Sequence, residues 1–316
     1  MPLDPRVQEL LDAMAAAGIP KVGGISVADL RELTRSLSAR ALHGSEPCST
    51  KDRAAPTVYG AIPVKTYLPR EQPTALMVYY HGGGWTVGTL EDYDAVLQKL
   101  TTRTNCAIVS VDYRLAPEHP FPAAVDDAYT ALCWAANNIE GVAGKTVPMI
   151  VAGDSAGGNL AAVVSQLARD TAGPTIAAQI LIYPSVAGDI DSESMREFEP
   201  PFLTRDEIAW FFDQYIPEKP QRRNPRFAPL HAVNLRNLPP AFVLTAEYDL
   251  LCAEGEQYAQ RLSEAGVPTR VKRYDGTIHG FLTMDGGLHH SVNAMEDIAD
   301  FVRMIVQSSA ASAVGQ

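Results

Sequence analysis

A chain of 316 residues that is 46% hydrophobic and 20% charged can bury one large core or two unequal domains, and it is neither disordered nor fibrous in composition. Its net charge of −11 argues against nucleic acid or an anionic membrane as the main partner, since phosphate binding needs clustered cations and the densest basic run is Arg222-Arg223 with Arg226. No run of 18 apolar residues could span a bilayer, Asp4, Glu9 and Asp12 break up any signal-peptide core, and Cys48, Cys106, Cys133 and Cys252 show no metal-ligand spacing, so a reduced, cytoplasmic protein is expected.

The chain opens with two helical patterns. Val7, Leu10, Leu11 and Met14 share one face and Gly18 stops the helix; Val27, Leu30, Leu33 and Leu37 share another, behind a capping box of Ser26 and Asp29. A polar stretch over 43–56 marks a boundary near residue 50. The rhythm then changes. Apolar, β-rich strands are expected over 61–68, 75–80, 107–113, 147–153, 176–184 and 241–246, with a more polar outer strand over 269–275. Helical patterns over 91–104, 123–138, 157–170 and 253–266 alternate with them. Near-continuous apolar strands alternating with helices imply an α/β fold, a mostly parallel sheet covered on both faces, with its site beyond the carboxyl ends of the strands. The connection from Val186 to Arg226 is too long for a plain loop and holds one amphipathic helix capped by Thr204, which suits a lid. The tail after Gln307 is expected to fray.

The stretch Gly153-Asp154-Ser155-Ala156-Gly157 follows an apolar strand and opens a helix. That is the setting of a nucleophile elbow, although a serine there also suits a helix cap. His81-Gly82-Gly83-Gly84-Trp85 follows another strand. Its glycines can turn backbone N–H groups toward one point, as a developing oxyanion needs, and no lysine follows to make a phosphate loop. A serine nucleophile needs a base, and the base needs a carboxylate, in the chain order Ser, Asp or Glu, His. His279, in a glycine-flanked loop, is the best base. His231 precedes the best acid, and His289 and His290 read as surface residues at the start of the last helix. Asp249 ranks first as the acid and Glu247 second, with Asp275 nearby. His81 reads as orienting the glycine loop. The segment 113–124 reads as scaffold for that loop, with Arg114 and Glu118 pairing inside it.

Together HGGGW at 81–85, DYRLAPEHPFPAAVDD at 112–127, GDSAGG at 153–158, YP at 183–184, LTAEYD at 244–249 and HGF at 279–281 resemble the bacterial hormone-sensitive-lipase-like (family IV) carboxylesterases of the α/β-hydrolase superfamily. The resemblance covers nearly the whole chain. It implies a triad of Ser155, Asp249 and His279 and an oxyanion hole from the N–H groups of Gly83, Gly84 and Ala156. It implies a helical cap built from 1–50 and 187–226 over a catalytic core of 51–186 and 227–316. The motif usually continues after the acid with Pro-Leu-Arg-Asp-Glu; here Leu250, Cys252 and Ala253 replace its Pro, Arg and second Asp, which places a thiol near the acid.

The expected activity is hydrolysis of short- to medium-chain acyl esters through an acyl-enzyme, with no cofactor and no metal. Expected pocket walls are Trp85, Tyr183, Phe202, Leu203, Phe211, Phe212 and Phe281, whose other reading is core packing. The expected partner is a small-molecule ester, met by a monomer or homodimer. The alternatives are a noncatalytic small-molecule receptor on the same fold, or an amidase or acyltransferase using the same triad.

Overall fold

A computed structural model describes residues 2–41, 48–58, 60–284 and 288–314. Two helices lead, α1 (Pro5–Ala16) and α2 (Val27–Ala41). Then follow β1 (Ser49–Thr57), β2 (Gly60–Leu68), β3 (Ala75–Tyr80), α3 (Asp94–Thr104), β4 (Cys106–Val111), α4 (Ala123–Asn137), α5 (Ile139–Ala143), β5 (Met149–Asp154), α6 (Ala156–Asp170) and β6 (Ala178–Ile182). The long connection carries α7 (Glu193–Glu197) and α8 (Arg205–Tyr215), and the chain closes with β7 (Ala241–Tyr248), α9 (Cys252–Glu264), β8 (Thr269–Ile278) and α10 (His289–Val314).

The strands form one eight-stranded sheet in the order β1-β2-β4-β3-β5-β6-β7-β8. β2 runs antiparallel to both β1 and β4, and the remaining pairs are parallel. Strands β3 to β6 are buried at every position, so their sequences run apolar without alternation. The two-residue pleat still sorts their side chains. Leu76, Val78 and Tyr80 of β3 pack with α4, α6 and α9, whereas Met77 and Tyr79 pack with α3 and α10.

Two expectations fail. The polar stretch over 43–56 is half strand: β1 begins at Ser49 and pairs along its whole length with β2, while residues 43–47 lie outside the described set. An edge strand bonds on one side only and is mostly solvated, so a polar sequence costs it little. The tail after Gln307 is helical as far as Val314. Its alanines favour the helix, and Ser308 and Ser309 hydroxyls bond back to Met304 and Ile305 carbonyls, 2.9 Å each.

α1 and α2 hold little core. In α1 only Val7 is buried, and in α2 Leu30 is 6% exposed while Leu37 is 36% exposed. Polar contacts hold them instead. Arg31 of α2 donates to the Thr86 and Ala116 carbonyls at 2.9 Å and forks onto Glu118 at 2.8 Å. The Glu207 carboxylate of α8 accepts from Val22 N at 3.0 Å, and its other oxygen closes the capping box with Thr204.

Candidate active site

The carboxyl ends of β3, β5, β7 and β8 converge. β5 ends in Asp154, and Ser155 turns the chain into α6 with φ 55° and ψ −117°, a conformation bulky residues avoid. The turn is tight against the sheet: a Cβ on Gly157 would lie 1.9 Å from the Tyr80 carbonyl oxygen. Ser155 N donates to Ile182 O at 2.8 Å, which pins the strained residue to β6.

His279 follows β8. Its Nε2 lies 2.9 Å from Ser155 Oγ and its Nδ1 lies 2.7 Å from Asp249 Oδ2. Asp249 is buried, and its other oxygen accepts from Leu251 N at 2.9 Å. The carboxylate accepts a hydrogen bond from Nδ1–H, which keeps the proton on Nδ1, so Nε2 presents a lone pair to the serine hydroxyl. The competing acids point elsewhere: Glu247 accepts from Gly276 N, and Asp275 accepts from Arg273. His231 bonds the Ala187 carbonyl. Contrary to the sequence reading, His290 is buried, packed beside Phe281, whereas His289 is exposed.

The glycine loop after β3 lies beside Ser155. Gly83 and Gly84 have φ of 104° and 58°, positive values that glycine adopts readily. Ala156 is the first residue of α6, at the positive end of its dipole and directly after Ser155. A buried network holds the loop. Gly82 N donates to Asp154 Oδ1 at 3.0 Å and to Tyr93 OH at 2.8 Å; Tyr79 OH and Tyr93 OH each donate to the Asp154 carboxylate at 2.9 Å. Burial raises the Asp154 pKa to about 6 against the pull of the two tyrosine hydroxyls. The sequence reading missed Asp154. Its signal was a charged residue ending a wholly apolar strand.

His81 Nδ1 lies 2.7 Å from the Gly82 carbonyl oxygen, and its ring stacks on Tyr113 with centroids 4.3 Å apart. Burial lowers its pKa to about 4, which keeps it a neutral donor. Tyr113 OH donates to His81 O at 2.7 Å and Ala116 N to Trp85 O at 2.8 Å, so the segment after β4 does brace the glycine loop. The pairing expected inside that segment does not form. Arg114 forks onto buried Asp127 of α4, and Glu118 receives Arg31. A fork that finds a buried carboxylate outcompetes an exposed neighbour.

A cleft of about 740 Å³ opens over Ser155 and His279. Trp85, Phe202, Leu203, Phe211 and Phe212 line it as expected. Tyr183 and Phe281 do not: both are fully buried core residues, Tyr183 with its ring 4.7 Å from that of His279. Leu11 and Met14 of α1 and Leu30 and Leu33 of α2 supply walls that the sequence reading assigned only to helix faces. Cys252 lies outside the cleft lining, its Sγ 3.6 Å from Glu256, and burial with the adjacent acids pushes its thiol up to about 12.

The chain is similar to known proteins. An arylesterase of Saccharolobus solfataricus is 36% identical over 285 residues, 89% of this chain and 93% of that one. The carboxylic ester hydrolase LipN of Mycobacterium tuberculosis is 38% identical over 298 residues, 89% of this chain and 77% of that one. The solved structure of a hyperthermophilic esterase from the archaeon Pyrobaculum calidifontis matches with a TM-score of 0.88 at 39% identity, covering 96% of this chain and 99% of that one. The family model for the alpha/beta hydrolase fold matches residues 77–283, from inside β3 to just past His279. The chain belongs to the α/β-hydrolase fold family, in its hormone-sensitive-lipase-like branch.

Proposed function

We propose that this protein is a serine carboxylesterase that cleaves short- to medium-chain acyl esters through an acyl-enzyme. The observation that carries the reading is the continuous relay from Ser155 Oγ through the His279 imidazole to Asp249. The relatives named as arylesterase and carboxylic ester hydrolase support the same chemistry.

In this reading His279 Nε2 takes the serine proton as Oγ attacks the ester carbonyl carbon. Asp249 keeps Nδ1 protonated and stabilises the imidazolium. The carbonyl oxygen, now an anion, accepts from the N–H groups of Gly83, Gly84 and Ala156, each donor being worth roughly 10²–10³ in rate. His279 then protonates the leaving alcohol. Water, deprotonated by the same nitrogen, attacks the acyl-serine and releases the acid.

Residues 1–50 and 187–226 act as a cap over a core of 51–186 and 227–316. The bond from Val22 N to Glu207 and the aromatic wall from Phe202 to Phe212 support this division. Four free cysteines suit a reducing, cytoplasmic setting.

The test is Ser155→Ala on p-nitrophenyl esters of C4 to C16 acids, with fluorophosphonate labelling of the parent protein. The variant should lose on the order of 10⁴–10⁶ in kcat while staying folded. A folded parent that binds esters but takes no label and hydrolyses none is a receptor, and the proposal fails. Faster turnover of amides than of esters would reassign the bond.

A further inference from the structure

The cleft does not use the cluster where α1 meets the start of α10. Asp4 caps α1: its Oδ1 accepts from Arg6 N at 2.9 Å, and its backbone N donates to Gly276 O at 2.8 Å. Its Oδ2 faces His289 Nδ1 at 3.8 Å. His290 stacks beside His289, ring centroids 3.9 Å apart. One donor atom from each of Asp4, His289 and His290 lies within 4.8 Å of the others.

His290 is the telling member. It is 7% exposed, and its Nε2 lies 3.0 Å from the Asp275 carbonyl oxygen. A carbonyl accepts only, so Nε2 carries the proton and Nδ1 carries the lone pair. That Nδ1 is buried and has no hydrogen-bond partner. A ring whose N–H is fixed by a backbone carbonyl while its other nitrogen lies bare has the outer support that metal-bound histidines use.

We infer that Asp4, His289 and His290 bind a divalent transition-metal ion, zinc by donor type, that staples the leading cap helix to the core. Two imidazoles and one carboxylate match zinc or cobalt rather than calcium or magnesium. Bonds of about 2.0–2.2 Å put tetrahedral donors about 3.4 Å apart, so the set must close by a little over 1 Å. His289 is exposed and free to turn, and water can fill the open position. The first turn of α10 opposes a cation, which leaves the Asp4 carboxylate as the one balancing charge in the set.

The test uses tag-free protein and Co²⁺ as the probe, read by its visible d–d absorption, with Zn²⁺ competition by calorimetry. The expected result is one equivalent bound. Asp4→Asn keeps the helix cap, since Asn caps about as well as Asp; His289→Ala alters an exposed side chain. Each should weaken binding tenfold or more with esterase activity unchanged, and His119→Ala should leave binding intact. At a hundredfold excess over its Kd, Zn²⁺ should raise the parent Tm by about 4 °C and neither site variant's. No stoichiometric cobalt spectrum, as when a water satisfies Nδ1, overturns the inference. So does equal binding by both site variants, or equal loss in His119→Ala.

Discussion

Replacing Asp154 by Asn separates catalysis from stability. The carboxylate takes three donors, Tyr79 OH and Gly82 N on Oδ1 and Tyr93 OH on Oδ2. An amide can keep its oxygen toward Gly82 but must then turn its NH₂ to Tyr93. The tyrosine hydroxyl already accepts from Gly82 N and loses its own acceptor. Losing one charge-assisted bond costs about 1.5–3 kcal/mol. Against this stands the cost of burying the charge. The folded-state pKa is about 6 against a reference of 3.8, so the folded protein holds the proton more tightly than the unfolded chain. That stabilisation is complete below about pH 4 and is lost as pH rises to about 6, leaving the ionised form about 3 kcal/mol worse off at pH 7. Asn escapes that penalty. The two effects nearly cancel, and with an unfolding entropy of about 0.7 kcal/mol per kelvin for this length the Tm should stay within about 3 °C at pH 7.

Activity has no such compensation. Gly82 leads directly into Gly83 and Gly84, and its N–H is fixed only through this network. A displaced donor is worth less than a deleted one, so kcat on p-nitrophenyl butyrate should fall about 10- to 100-fold, below the 10²–10³ of a full donor. KM should change less than about threefold, because the donors act on charge that develops after binding. Thermal melts at pH 5 and pH 7 beside steady-state kinetics read both quantities. A kcat within threefold of the parent would refute the positioning role; a Tm loss beyond about 6 °C would refute the cancellation.

Arg31→Ala should lose less than about 1 kcal/mol through its solvent-exposed ion pair with Glu118 and about 1.5–3 kcal/mol for each bond to the Thr86 and Ala116 carbonyls, and freeing α2 should lower kcat/KM on p-nitrophenyl octanoate about five- to tenfold. Lysine should not rescue it, having no fork to reach both carbonyls and the carboxylate; equal rates for all three proteins would discount the clamp. Phe211 lies where a Cβ on Gly84 would fall 2.2 Å from its ring. Phe211→Ala should therefore lengthen the preferred acyl chain by two or more carbons across a C2–C12 ester series, and an unmoved optimum would mark the ring as packing alone. Iodoacetamide at pH 7.5 should leave activity intact, because the Cys252 thiol is pushed up to about 12; rapid inactivation that Cys252→Ala abolishes would contradict that environment.

What the sequence discloses is what neighbours along the chain decide. The strained turn at Ser155 needs only small residues beside it, and the buried strands need only apolar runs, so both could be read directly. The acid was ranked from sequence, Asp249 first and Glu247 second, but its rivals are separated from it only in the fold. Glu247, Asp249 and Asp275 all lie near the ends of β7 and β8, and in the fold Asp249 meets His279 while Glu247 accepts from Gly276 N and Asp275 from Arg273. Aromatic character alone did not sort cleft from core either. Tyr183 and Phe281 sit in the core with residues of α10, whereas Phe202 and Phe211 come from the long connection after β6 and line the cleft. Arg114 passed over an acid four residues away for one thirteen away, because Asp127 is buried where Glu118 is not. Asp154 is the sharpest case. Its burial breaks the rule that filled the rest of β5, and such a breach is tolerated only where three donors converge on it. A charged residue ending an apolar strand is therefore itself a readable signal, pointing to donors that only the folded chain can bring.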